Sequence, residues 1–169
     1  VAQALAENLK LFGWKISGTT TDPSKAVKMA EDGIESYVFD QNMSLCDPYD
    51  ALKDATHIIV SIPPAEFGDI VLDMHEDDLE QLRNVEWIGY LSSTSVYGNQ
   101  NGGKVDETVL PAPSSKRGSL RLKSELQWQQ FYNDTKMPLH IFRLAGIYGP
   151  GRSALDAVRA GNSRRIDKP

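Results

Sequence analysis

Short β-prone runs that alternate with helical patterns constrain this chain more than any other feature. Residues 57–62, His-Ile-Ile-Val-Ser-Ile, form a run that reads as a strand buried on both faces and is ended by Pro63-Pro64. Similar runs lie at 14–18, 36–39, 85–92 and 139–144. Between them, helical patterns start at Asp22-Pro23 and close at Gly33, then recur at 48–53, 69–82 and 120–135. At the front, Val1, Leu5, Leu9 and Phe12 share one helical face and Gly13 stops it, so the chain begins inside a helix. Strands alternating with helices predict a mostly parallel sheet covered by helices on both faces.

Such a doubly wound α/β sheet normally opens with a strand and a glycine-rich turn, whose following helix holds a pyrophosphate at its N-terminus. Only the remainder of that helix is present, and no G-x-G-x-x-G occurs. In the common strand order the first strand is central, so its two neighbours would otherwise carry unpaired edges. The expectation is a Rossmann-type domain over 1–169 whose first strand, glycine-rich turn and C-terminal substrate region lie outside the chain. The natural protein is then longer at its N-terminus.

With 169 residues, one domain is the default. No apolar run approaches the roughly 20 residues of a membrane span, and no leader is visible, so no membrane partner is expected. A net charge of −5 with no basic stripe argues against nucleic acid. The single Cys46 suits a reducing cytoplasm. His57, His75 and His140 are far apart, without Cys or Glu at ligand spacing, and give no metal site. Arg159, Arg164, Arg165 and Lys168 read either as a solvated helix end or as a grip on an anion.

The chemistry-bearing stretch is 87–98, an apolar strand that ends in the four hydroxyls of Ser92, Ser93, Thr94 and Ser95 before Tyr97-Gly98. Hydroxyls at a strand's carboxyl end hold a substrate carbonyl or alcohol, or serve only as turn chemistry. A polar stretch of about 20 residues follows Tyr97, of the length that marks functional or disordered loops.

SSTSVYG at 92–98 resembles the strand-five motif of the extended short-chain dehydrogenase/reductases, the NAD-dependent epimerase/dehydratase family. PSSKRGSLRLKSELQ at 113–127 is similar to that family's P-x-S-x-Y-G-x-S-K-x-x-x-E helix, and FRLAGIYGPGR at 142–152 to its strand-six segment. The resemblance implies a tyrosine acid/base, a lysine four residues later that holds the nicotinamide ribose, and a Ser or Thr that polarises the reacting oxygen. Ser93, with Thr94 beside it, takes the last role. Arg117 and Arg121 stand where the tyrosine and lysine belong. Arginine stays protonated above about pH 12, so Arg117 cannot act as a base, whereas Arg121 can still donate to a ribose or phosphate. The pattern resembles the atypical branch of the superfamily. Ser95, Tyr97 and Tyr148 are the expected substrate contacts, although each tyrosine also reads as a packing aromatic. Thr94 and Ser95 replace the dehydratases' Asp-Glu pair, which disfavours a dehydratase mechanism.

NAD-specific domains place a carboxylate at the second strand's end. Here Thr19, Thr20 and Thr21 stand there, followed by Asp22 and Lys25, so NADP is expected in preference to NAD; the alternative is that the threonines only form a helix-capping turn. The resemblance further assigns Asp40, Ser61, Ile62, Pro63, Arg121 and Leu144 to the cofactor. Together these readings imply an NAD(P)-binding oxidoreductase or epimerase acting on a small molecule such as a nucleotide-sugar, with homodimerisation also expected. The alternative is a binding or regulatory protein that has lost the Tyr/Lys pair.

Overall fold

The computed structural model describes residues 2–149 and 151–162. Val1 of the opening helical face, and Arg164, Arg165 and Lys168 of the basic cluster, lie outside these. In chain order the elements are α1 (Ala2–Leu11), β1 (Ser17–Thr20), α2 (Pro23–Glu31), β2 (Glu35–Val38), α3 (Pro48–Leu52) and β3 (His57–Val60). They continue with α4 (Ile70–Glu80), β4 (Trp87–Ser93), a 3-10 turn (Thr94–Tyr97), α5 (Lys116–Thr135), β5 (Leu139–Leu144) and α6 (Ala154–Arg159).

Helix starts follow from capping chemistry. Asp22, Asp47, Asp69, Ser115 and Ser153 each accept a backbone N–H of the helix they precede, and proline opens α2 and α3. All strand pairings are parallel, as the alternation requires, but they fall into two groups, β1-β2 and β3-β4-β5. Among the described residues β1 pairs only with β2 and β3 only with β4, so one edge of each is unpaired.

The main core lies between one face of β3-β4-β5 and the helices α4 and α5. Val60, Ile88 and Tyr90 meet Leu72, Leu79, Trp128 and Phe131 there. A smaller core of Phe39, Leu45 and Ile70 joins the end of β2 to the start of α4.

Residues 57–62 differ from the strand buried on both faces that their apolar run predicts. The strand stops at Val60, and His57 and Ile59 are exposed while Val60 is buried. The side chains alternate because α4 and α5 cover only one face. On the other, Trp14, His57, Trp87 and His140 make a row of ring contacts at 4.9, 6.2 and 5.7 Å. Helix α1 buries none of its residues fully, with Leu5, Ala6 and Leu9 half-buried.

Candidate functional site

The carboxyl ends of β1, β2 and β3 surround a cleft of about 530 Å³. Thr19, Thr20 and Thr21 line one side, Phe39 to Asn42 a second, and Ser61 to Ala65 a third. Thus Thr19, Thr20, Thr21, Asp40, Ser61, Ile62 and Pro63 come together from three separate elements. The Phe39, Ile62 and Ile70 side chains offer apolar walls, while the hydroxyls, Asp40, Gln41 and Asn42 offer polar contacts. This mixture suits a ligand with flat rings and hydroxylated sugars. Gln41 and Asn42 escaped the sequence reading; their adjacency to Asp40 was the available signal.

Asp22 lies outside the lining, and its oxygen accepts from Ser24 N at 2.9 Å and Ser24 Oγ at 2.7 Å. Those bonds hold its carboxyl below the usual aspartate range. Asp40 Oδ1 accepts from Asn42 N at 2.7 Å, and Asp40 and Met43 exchange backbone bonds, which closes the 40–43 turn.

At the tip of β4, Ser93 Oγ accepts the Ser95 N–H at 3.2 Å and so caps the 3-10 turn. This bond occupies a lone pair and leaves the hydroxyl proton free to donate. Ser93 pairs across the sheet with Leu144, placing that residue at the adjacent strand end. Ser93, Thr94 and Ser95 are all half-buried. Gly118 lets α5 approach this turn, since a Cβ there would stand 2.6 Å from Ser95 O.

The two arginines on α5 have different surroundings. Arg117 is exposed and has no hydrogen bond or ion pair among the described residues. Arg121 is half-buried, and Nη1 donates to Tyr90 Oη at 3.0 Å and Leu91 O at 3.1 Å, with Ile62 O at 3.5 Å. The guanidinium therefore bridges the ends of β3 and β4, and burial raises the Tyr90 phenol above its ordinary value. Beside them, Lys116 pairs with Glu66, Lys123 Nζ donates to Glu66 O at 3.3 Å, and Gln127 Oε1 accepts the Asp69 N–H at 2.8 Å. These contacts clip the loop after β3 to α5.

Tyr97 is 5% exposed, with the Arg143 guanidinium 4.8 Å from its ring centre, whereas Tyr148 is 86% exposed. Arg143 also grips Glu125, and Ser92 Oγ donates to the same carboxylate. This buried network escaped the sequence reading. Arg159 lies in the last turn of α6. Among the described residues no group of three or more His, Cys, Asp or Glu is placed to hold a metal, and no helix is long and apolar enough to cross a membrane.

No protein-family model matches the chain. Protein YeeZ of Escherichia coli (strain K12) is 34% identical over 159 residues, covering 88% of this chain and 56% of YeeZ. A functionally unknown conserved protein from Silicibacter pomeroyi DSS superposes with a TM-score of 0.78 and 38% identity, over 90% of this chain and 52% of that one. UDP-glucuronic acid 4-epimerase from Bacillus cereus in complex with NAD gives a TM-score of 0.64 at 19% identity, over 83% of this chain and 51% of the epimerase. MoeE5 in complex with UDP-glucose and NAD gives 0.67 at 22%, over 89% of this chain and 52% of MoeE5. The chain spans about half the length of these relatives. Both complexes hold NAD, which lends no support to the expected preference for NADP. The chain is structurally similar to the NAD-dependent epimerase/dehydratase family of extended short-chain dehydrogenase/reductases and shares its Rossmann-like α/β fold.

Proposed function

We propose that this chain is the dinucleotide-binding part of an oxidoreductase or epimerase that acts on a sugar or nucleotide-sugar. The observation that carries the reading is the single cleft where Thr19–Thr21, Asp40–Asn42 and Ser61–Ala65 converge at three parallel strand ends. Its apolar walls and hydroxyl rim fit a pyridine dinucleotide, with Asp40 toward the adenine and the Thr19–Thr21 hydroxyls toward the ribose. When bound, that group supplies hydride acceptance and return. Ser93 hydrogen-bonds the substrate's carbonyl or alcohol oxygen through its hydroxyl and orients it, with Thr94 at its side, while the proton of the alcohol passes to water when the hydride leaves. Arg117 cannot take up a proton and instead offers its exposed cation to the substrate, with Ser95, Tyr97 and Tyr148 as further contacts; water carries the proton away. The nucleotide-sugar class is supported by the UDP-glucose held by MoeE5.

The second reading, a dinucleotide-binding protein without turnover, is favoured by Arg121, whose Nη1 is spent on Tyr90 and Leu91. Calorimetric titration of the full-length protein with NAD and with NADP tests the shared part; binding of neither defeats both readings. Reduction of the bound nucleotide with a panel of UDP-sugars separates them, with Ser93→Ala as control. Activity that survives intact in that variant removes Ser93 from the chemistry.

The domain organisation belongs to the same proposal. Among the described residues β1 and β3 each have one unpaired edge, and in this reading a further parallel strand of the full-length protein pairs with them. Slow exchange of the Ile59 amide, which points away from β4 to the open edge, is the expected sign in that protein; rapid exchange there argues against the inserted strand.

A further inference from the structure

The turn that follows β2 supplies Asp40, Gln41 and Asn42 to the cleft, and its own support comes from a residue outside the lining. His75, on α4, is 3% exposed, and its Nε2 accepts the Leu45 N–H at 3.1 Å. A backbone N–H is always a donor, so Nε2 carries no hydrogen and Nδ1 does, directed at Asp78 Oδ2 at 2.8 Å. The same imidazole lies 5.3 Å from the Phe39 ring, which is 4% exposed and forms part of the cleft wall. His75 thus holds the turn at both ends, through Phe39 before it and Leu45 after it.

The backbone at His75 bears the mark of this task. Its φ of −137° and ψ of 20° depart from helical values inside α4 and turn the ring toward the turn. Leu72 and Leu79, on either side of it in α4, belong to the main core, whereas the polar contacts of the His75 ring go to Leu45 and Asp78.

We propose that His75 is a positioning residue that sets the cleft's affinity for its nucleotide by fixing the 40–45 turn. The inference rests on the dinucleotide reading above. Preorganising a binding turn strengthens binding without adding a contact to the ligand. His75→Leu leaves the Leu45 N–H buried without an acceptor, whereas in His75→Gln the side-chain oxygen reaches the same N–H.

The test is NAD titration of the full-length protein, with hydrogen exchange followed over 40–45. His75→Leu is expected to bind about tenfold more weakly, the equivalent of one lost hydrogen bond, and to exchange faster at Leu45. His75→Gln is expected to restore binding to within about twofold. A leucine variant that binds and exchanges like the parent overturns the proposal, as does a glutamine variant as weak as the leucine one. If the leucine variant does not fold, His75→Asn, whose shorter amide does not reach Leu45, replaces it. Should the parent protein bind neither NAD nor NADP, the dinucleotide reading fails. Exchange then decides alone: selective loosening of 40–45 in the leucine variant supports the positioning role, and equal exchange in all variants refutes it.

Discussion

Arg143 places Nη2 2.8 Å from Glu125 Oε2, and the carboxylate it meets is fully buried. Nε adds contacts at 3.2 Å to both carboxylate oxygens, and Ser92 Oγ donates to Oε1. This pair ties α5 to β5 and β4 directly behind the hydroxyl turn. The bond to Glu125 raises the Arg143 pKa further, so the guanidinium is charged at any working pH. Removing one partner of a buried pair leaves the other uncompensated, and Glu125→Leu or Arg143→Met alone is expected to cost about 3–5 kcal/mol. The double variant Glu125→Leu, Arg143→Met is expected to recover part of that loss. Urea unfolding of the four proteins of the cycle measures it. A single-variant loss below about 1 kcal/mol would mean that the pair is solvated.

The two α5 arginines are expected to separate by phenotype. Arg121→Lys keeps the charge but loses the Nη1 group that reaches Tyr90 Oη and Leu91 O, and should lower stability by about 1–2 kcal/mol. Arg117→Ala, on the exposed first turn, should leave stability within about 0.5 kcal/mol while weakening substrate use. Thermal melts and turnover on the same preparations check both. Equal melting losses would contradict the division of labour drawn here.

How far the sequence foretold this depends on whether a signal was local. The strand at 139–144 has the bounds its β-prone run predicts, and α4 begins just after Asp69 because capping chemistry is local. The run at 14–18 is displaced to Ser17–Thr20 because Trp14 leaves the strand and packs edge-on to His57, a long-range contact. The 94–97 turn was hidden in a string of hydroxyls: only the structure shows that Ser93, the last residue of β4, also caps it. For α6 the sequence offered only a helix end at Arg159 as one of two readings, and its start was missed although Ser153 and Asp156 form a capping box, because six residues are too short for a period to show. The cleft residues were legible by their order at strand ends. Glu125 with Arg143, and His75 with Leu45, were not, because no spacing rule joins residues 18 or 30 positions apart on different elements.

Gly89 shows how a missing side chain supports the uncovered sheet face. The Trp87 indole folds back along β4 into the space a Cβ at position 89 would occupy, and from there it stacks on His140 at 5.7 Å. Gly89→Ala must displace the ring and is expected to cost about 1–3 kcal/mol. Trp87→Phe in the same protein should return part of this, because the smaller ring clears the methyl. Denaturant midpoints of the two single variants and the double variant provide the check, and simple additivity would show that the indole is not the obstacle.

Asp69 gives the pH dependence. It is 1% exposed at the start of α4, where its oxygen accepts from Val71 N at 3.0 Å and Leu72 N at 3.3 Å. Burial raises its pKa, and this outweighs those bonds and the attraction of Arg121, which act in the opposite sense. A carboxyl whose pKa rises on folding binds its proton more tightly in the folded protein than in the unfolded chain. Between the two values folding takes up a proton, so this group's contribution is most favourable on the acid side and declines as pH rises through the folded value. Asp69→Asn keeps an oxygen for the two N–H groups and removes the titration. The parent is therefore expected to lose stability relative to the variant as pH climbs from the ordinary aspartate range toward neutrality. Urea unfolding of both proteins across that interval isolates the term, because every other titrating group is shared. Parallel curves would show that the buried carboxyl titrates as it does in the unfolded chain.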